Sequence, residues 1–288
     1  MIVFRSVGGL GNQMFQYATA RRLADKTGSE LAVDTSWHRQ HTPDTTPRSF
    51  QLFRLNVRCR GLNRIEAMLA QVYSDRRLSR LPLPRNMDFR QERSFQFDES
   101  ILHCTDNTYL SGYWQSDKYF RDIRDRLQHD FEPIDPPSER DRETIQLMAG
   151  CESVLVHVRR GDYVSLPAAA GHHGTCSIEY YRAAFAVVAK SVAEPVLFVF
   201  SDDPAWVREN IRLPAQTVFV SHNSPSEAHQ DLRMMSKCRH GIIANSSFSW
   251  WGAWLGMDNT QRVVVAPKQW FANGAPTPDL LPQSWRPL

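Results

Sequence analysis

The chain has 288 residues, 42% hydrophobic and 23% charged, with a mean hydropathy of −0.45 and a formal net charge of +3. That is the composition of a globular protein long enough for one large domain or two ordinary ones. No apolar stretch approaches the roughly 18 residues of a membrane-spanning helix, and so small a net charge gives no sign of a nucleic-acid binder. The positive charge is supplied in an unusual way. Of the 34 basic residues 5 are lysine, leaving 29 arginines. A high-GC genome would explain most of that bias, and the other reading is that some arginines serve as planar forks for phosphate.

Ile2 to Val7 is a short β-rich run, and Gly8-Gly9-Leu10-Gly11 is a turn. Without a basic leader followed by an apolar stretch, this start is not expected to be a secretory signal. Asn12 to Lys26 reads as a helix ended by Thr27-Gly28, and Leu31 to Val33 as a second strand. The glycine turn resembles a dinucleotide fingerprint, but Met14 stands in the third glycine position, so the signal is weak. From Trp37 to Leu110 periodicity fades. Between Arg54 and Arg93 ten arginines face four acids, a local +6. A solvated helical face is the plainer reading, and an anionic membrane surface or glycolipid acceptor the lesser one.

Pro133 to Pro137 is proline-rich and acidic, as a linker would be. Beyond it the pattern becomes regular. Strands are expected at Ser153–Val158, Val196–Phe200, Thr217–Val220, Gly241–Ala244 and Val263–Ala266. Helices are expected between them at Ser177–Ser191, Pro204–Asn210, Pro225–Lys237 and Ser247–Leu255. Apolar strands interleaved with helices imply a parallel sheet covered on both faces, a Rossmann-like α/β domain. Ligands of such sheets bind at the carboxyl ends of the strands.

Those ends carry His157-Val158-Arg159-Arg160-Gly161-Asp162, Ser201-Asp202-Asp203 and Asn245-Ser246-Ser247-Phe248. At least one of the paired arginines is expected to face an anion, while the other could ion-pair with Asp162. Ser201-Asp202-Asp203-Pro204 reads equally as a helix N-cap. Asn245-Ser246-Ser247 caps a helix too, and a serine-rich cap at a strand's carboxyl end is a natural anion seat. Trp250, Trp251 and Trp254 read as the filling of a buried helix rather than a sugar-stacking surface.

Five cysteines at 59, 104, 151, 176 and 238 form no C-x-x-C pair, so reduced thiols, mostly buried, in a cytoplasmic protein are expected. The chain has no G-x-x-x-x-G-K-[ST] loop and no Asp-x-Asp pair. Neutralising a diphosphate would therefore fall to arginine and helix N-termini, with no metal expected.

His157-Val-Arg-Arg-Gly-Asp-Tyr163 resembles the signature of the α-1,2-fucosyltransferases, glycosyltransferase family 11. Gly8-Gly-Leu-Gly-Asn-Gln-Met-Phe-Gln-Tyr-Ala18 and Asn245-Ser-Ser-Phe-Ser-Trp-Trp-Gly-Ala-Trp254 resemble two further blocks of that family, in its order. The resemblance implies a GT-B fold of two Rossmann-like domains facing a cleft. Residues 1–135 would be the acceptor side and 136–288 the GDP-fucose-binding side, with a C-terminal tail free to return to the first. It implies inverting, metal-independent transfer of fucose from GDP-fucose to the 2-hydroxyl of a β-galactoside, the expected partners, at or near the inner face of a bacterial membrane. Another fucosyl or nucleotide-sugar linkage on the same fold, a non-catalytic nucleotide or glycan binder, and a dinucleotide oxidoreductase are the competing readings.

Carried over by resemblance, Arg159 would sit on the β-phosphate, supported by Arg160 and His157. Asp202 or Asp203 would read the guanine edge. Asn245, Ser246, Ser247 and Phe248 would place amides and hydroxyls on the diphosphate, and Gly11 and Asn12 would contribute from the glycine loop. The base for the acceptor hydroxyl is least defined. Asp162 is nearest by motif, His172, His173 and Glu179 lie downstream, and a loose transition state deprotonated by phosphate needs no side-chain base.

Overall fold

The computed structural model describes residues 1–39, 48–74, 87–161, 171, 174–256 and 261–288. They form two compact units. The first comprises Met1–Glu132 with Pro276–Leu280, the second Pro133–Ala275 with Leu281–Leu288.

The first unit runs β1 (Ile2–Arg5), α1 (Leu10–Thr27), β2 (Leu31–Asp34), β3 (Arg60–Gly61), α2 (Arg64–Ser74), β4 (Asp88–Gln91), β5 (Thr108–Ser111) and α3 (Arg124–Asp130). Its parallel sheet has the order β3-β2-β1-β5-β4. The sheet is wider than the sequence suggests, because β3 has two residues and β4 reads Asp-Phe-Arg-Gln on a partly exposed edge. Helix α1 is buried on nearly every face down to Ala24. It stops at Gly28, whose φ of 63° is readily adopted without a Cβ and lets its N–H turn back to Ala24 and Asp25.

Two glutamines on α1 hold the turn that follows β1. The Gln13 amide donates to the Gly8 and Ser49 carbonyls at 3.0 Å, and its carbonyl accepts from Gln51 N–H at 2.9 Å and Leu52 N–H at 3.1 Å. Gln16 clasps both backbone groups of Val7 at 3.0 and 3.2 Å. Each buried backbone group left without a partner costs about 1–3 kcal/mol. Gln13→Leu should therefore lower unfolding free energy by at least about 2 kcal/mol in urea titration. An unchanged midpoint would mean that water replaces the amide freely.

The second unit runs α4 (Glu139–Ala149), β6 (Ser153–Val158), α5 (Ile178–Ala189), β7 (Val196–Ser201), α6 (Pro204–Asn210), β8 (Thr217–Val220), α7 (Ala228–Lys237), β9 (His240–Ile242), α8 (Ser247–Trp254), β10 (Val264–Ala266) and β11 (Arg286–Pro287). The six strands are parallel in the order β11-β10-β9-β6-β7-β8. All six residues of β6 are buried, and Val154, Val156 and Val158 pack with Tyr181, Phe185 and Val188 of α5. Strand order reverses at β6: β7 and β8 extend one way, β9 to β11 the other. In an open parallel sheet the carboxyl ends flanking such a reversal are the ligand position.

Helix α8 packs on α7. Trp250, Trp251 and Trp254 are buried, as expected of a core helix, with Trp250 and Trp254 stacked at 5.9 Å. A Cβ on Gly252 would lie 2.7 Å from Met235 Cβ. Gly252→Ala should thus cost about 1–3 kcal/mol by overpacking, against the usual gain from replacing a helical glycine. Thermal unfolding checks the sign. All five cysteines are free; Cys104 and Cys238 are buried but Cys59, Cys151 and Cys176 only half-buried, so the thiols are less buried than composition suggests.

Candidate functional site

The carboxyl ends of β6, β7 and β9 bring together most of the residues singled out in the sequence. Sheet register sets Val158 of β6 opposite Ser201 of β7, so the next residues, Arg159 and Asp202, emerge side by side. Arg159 Nη1 lies 2.9 Å from Asp202 Oδ2, and the other Asp202 oxygen accepts from the Arg160 N–H at 2.8 Å. One carboxylate thus holds both the guanidinium and the peptide behind it. Gly161 makes this possible, because a Cβ there would collide with the Asp202 carboxylate.

Arg160 turns elsewhere. Its guanidinium carbon sits 3.6 Å from the Trp206 ring centroid, and its Nε donates to Asp203 Oδ2 at 3.4 Å. Asp203 also caps α6, accepting from Trp206 N–H at 3.2 Å. The twin motifs therefore divide their labour. Asp203 and Arg160 brace the start of α6, whereas Asp202 and Arg159 form a separate pair.

Helix α8 supplies the third side. Ser246 occupies its N-cap with extended backbone, φ −137° and ψ 124°, yet its side chain makes no cap bond. The amides of Ser247, Phe248 and Ser249 precede the first intrahelical bond, Trp250 N–H to Ser246 O at 3.0 Å. A helix start whose cap is not its own side chain offers donors and a positive dipole end to an anion. Asn245 is a tether: its amide donates to the Gly174 and Trp270 carbonyls at 3.2 and 3.1 Å, and its oxygen accepts from Cys176 Sγ at 3.6 Å. It fixes the β9–α8 loop.

His157 lies at the end of β6, only 5% exposed, with its ring 6.1 Å from that of Phe248. Its Nδ1 is buried with no hydrogen-bond partner among the described residues. Burial first, and then the Arg159 charge, push its pKa down to about 3, so the ring is neutral. The unfolded chain takes up a proton here below the ordinary 6.5, and the folded chain refuses it until about 3. Stability from this group is thus complete above pH 6.5 and is lost as pH falls towards 3. His157→Gln should flatten the fall in unfolding free energy between pH 7 and 4, read by urea titration; an unaltered slope would show that the ring protonates in the folded state.

The remaining expected residues lie in other segments of the chain. Gly11 and Asn12 belong to the first unit, where Asn12 Oδ1 accepts from Gln115 at 2.9 Å and Gly11 is buried in α1. Glu179 is exposed in the first turn of α5, and hydrogen bonding from its own N–H and Ser177 holds its carboxyl below the ordinary range. Asp162, His172 and His173 lie outside the described residues.

Sequence reading missed Trp206, which gives Arg160 its stacking face. It also missed Tyr181, whose hydroxyl donates to the His157 carbonyl at 3.1 Å. The spacing Asp203-Pro-Ala-Trp206, an N-cap with an aromatic at the third helical position, was the available signal for the former. In the first unit it missed His38, whose ring nitrogens meet Ser6 Oγ at 3.0 Å and the Arg48 carbonyl at 2.8 Å just beyond β2.

Residues 3–278 match the family model described as glycosyl transferase family 11. The chain belongs to glycosyltransferase family 11. It is 31% identical over 277 residues to an alpha-1,2-colitosyltransferase of Escherichia coli, spanning 94% of this chain and 92% of that protein. Identity is also 31% over 284 residues to the O-antigen biosynthesis glycosyltransferase WbnK of Escherichia coli, covering 92% and 93%. A rat galactoside alpha-(1,2)-fucosyltransferase 2 is 25% identical over 266 residues, covering 90% of this chain and 68% of its own length. No helix among the described residues is long and apolar enough to cross a membrane.

Proposed function

We propose that this family 11 glycosyltransferase moves L-fucose from GDP-β-L-fucose to the 2-hydroxyl of a terminal β-galactoside, inverting the anomeric centre. The observation that carries the reading is the convergence of Arg159, Asp202 and the start of α8 on the side of the sheet where its strand order reverses. In this reading residues 136–288 bind the donor and residues 1–135 contribute acceptor contacts. Breaking the C1–O bond leaves positive charge on the sugar ring and negative charge on the diphosphate. The Arg159 fork and the Ser247 and Phe248 amides stabilise that negative charge where it develops, without a metal ion. Asp202 keeps the fork aimed, and neutral His157 fills the wall behind it without adding a competing charge. The acceptor proton goes to Asp162 or to a phosphate oxygen.

The rat relative's name supports fucose and galactoside. The Escherichia coli relative favours a second reading, in which the sugar moved is colitose. Incubation with each nucleotide sugar and a panel of β-galactosides in excess chelator, followed by linkage analysis, separates them. An α-1,2-fucosylated product formed in chelator is the expected result. Turnover that needs added metal, or a linkage other than 1,2, would overturn it.

A further inference from the structure

We propose that the outward face of α2 docks on an anionic lipid bilayer surface. The inner face of this helix is fixed by packing. Ala70 is buried with Val3, Ala32 and Tyr109, and the Glu66 carboxylate is held by the Arg60 guanidinium at 2.7 Å through both oxygens. These residues are four apart and lie on one side. On the other side Ile65, Met68 and Leu69 are 69%, 61% and 44% exposed. Their i, i+3, i+4 spacing makes one apolar stripe in a position where a water-facing helix carries polar groups.

Two arginines stand next to or just before the stripe in the chain. Arg64 adjoins Ile65 in the chain, Arg58 precedes the helix, both are exposed, and neither makes an ion pair among the described residues. Among the described residues of 54–93, six arginines stand against three acids, and of these acids Glu66 is taken up by Arg60 and Asp88 by Arg90. This charge chooses the occupant. A second copy of the chain, docked by two-fold symmetry, would set the same basic segment against itself. An anionic bilayer accepts both features: the three apolar side chains enter the headgroup boundary, and the guanidiniums meet lipid phosphates. A helix of 11 residues with three anchors makes a reversible, salt-sensitive contact rather than an anchor.

Co-sedimentation of the full chain with vesicles tests this without any sugar donor, so its outcome is independent of the transferase reading. Vesicles with about one-third phosphatidylglycerol should bind at least about 10-fold more protein than pure phosphatidylcholine, and high salt should abolish the difference. The triple variant Ile65→Ser, Met68→Ser, Leu69→Ser should lose binding while keeping its melting temperature and its activity on a soluble acceptor. Arg64→Glu, with the stripe intact, should reduce the preference for anionic vesicles. Equal binding of wild type and triple variant would overturn the proposal. So would a wild-type dimer in analytical ultracentrifugation that the triple variant abolishes, since the occupant would then be a second copy.

Discussion

Arg159→Lys should lower kcat about 10²- to 10³-fold while leaving the melting temperature unchanged, the loss typical of removing one donor aimed at developing transition-state charge. The substitution keeps the positive charge, so a large effect would show that geometry matters. A guanidinium presents two parallel N–H donors to a phosphate and can at the same time hold Asp202, which it contacts at 2.9 Å. An ammonium on a flexible stem is a point charge that must choose between the carboxylate and the ligand. Steady-state kinetics with GDP-fucose and a β-galactoside reads the effect. Turnover by the lysine variant within a few-fold of wild type would remove Arg159 from the phosphate role.

For Asp202→Asn the expected loss in kcat is about 10- to 150-fold, equivalent to a charge-assisted hydrogen bond of about 1.5–3 kcal/mol. Both carboxylate oxygens are in use, one on Arg159 and one on the Arg160 N–H. The asparagine oxygen can still accept from one of them but no longer carries the charge that orients the guanidinium. A positioning role therefore shows in kcat with GDP affinity little changed. A carboxylate reading guanine gives the opposite split: weaker GDP binding, lost preference over ADP, and kcat nearly intact. Calorimetry with both nucleotides beside the kinetics separates these outcomes, and the second would detach Asp202 from Arg159.

Much of the second unit was legible because its inner strands are short, uninterrupted apolar runs. Ser-Val-Leu-Val-His-Val of β6 and the inner Leu-Phe-Val-Phe of β7 are buried on both faces, which only a covered parallel sheet requires. The helix after β9 was legible for the same reason, its tryptophans leaving no polar face. The first unit was harder. β4 and β3 carry no apolar run, and only pairing with β5 and β2 makes them strands. In the second unit helix α4 escaped the sequence reading, although Ser138 and Asp141 form a reciprocal capping box at its start. Its mostly polar helix gave no stripe to follow.

At the candidate site the sequence by itself determined which residues stand at the carboxyl ends of the strands: Arg159 and Arg160, Asp202 and Asp203, Ser246 and Ser247. It could not rank the members of each pair, because adjacent residues of the same type carry the same local signal. The tertiary structure ranked them. Pairing Val158 with Ser201 brings together residues 43 apart in the chain, so that Asp202 receives Arg159 while Asp203, one step further on, caps α6 and takes Arg160 against Trp206. Likewise, only the structure shows that Ser246 leaves the helix start uncapped, while the tether that shapes its loop is Asn245. Composition and periodicity are local properties; the choice between neighbouring identical side chains rests on sheet register, a contact between distant segments.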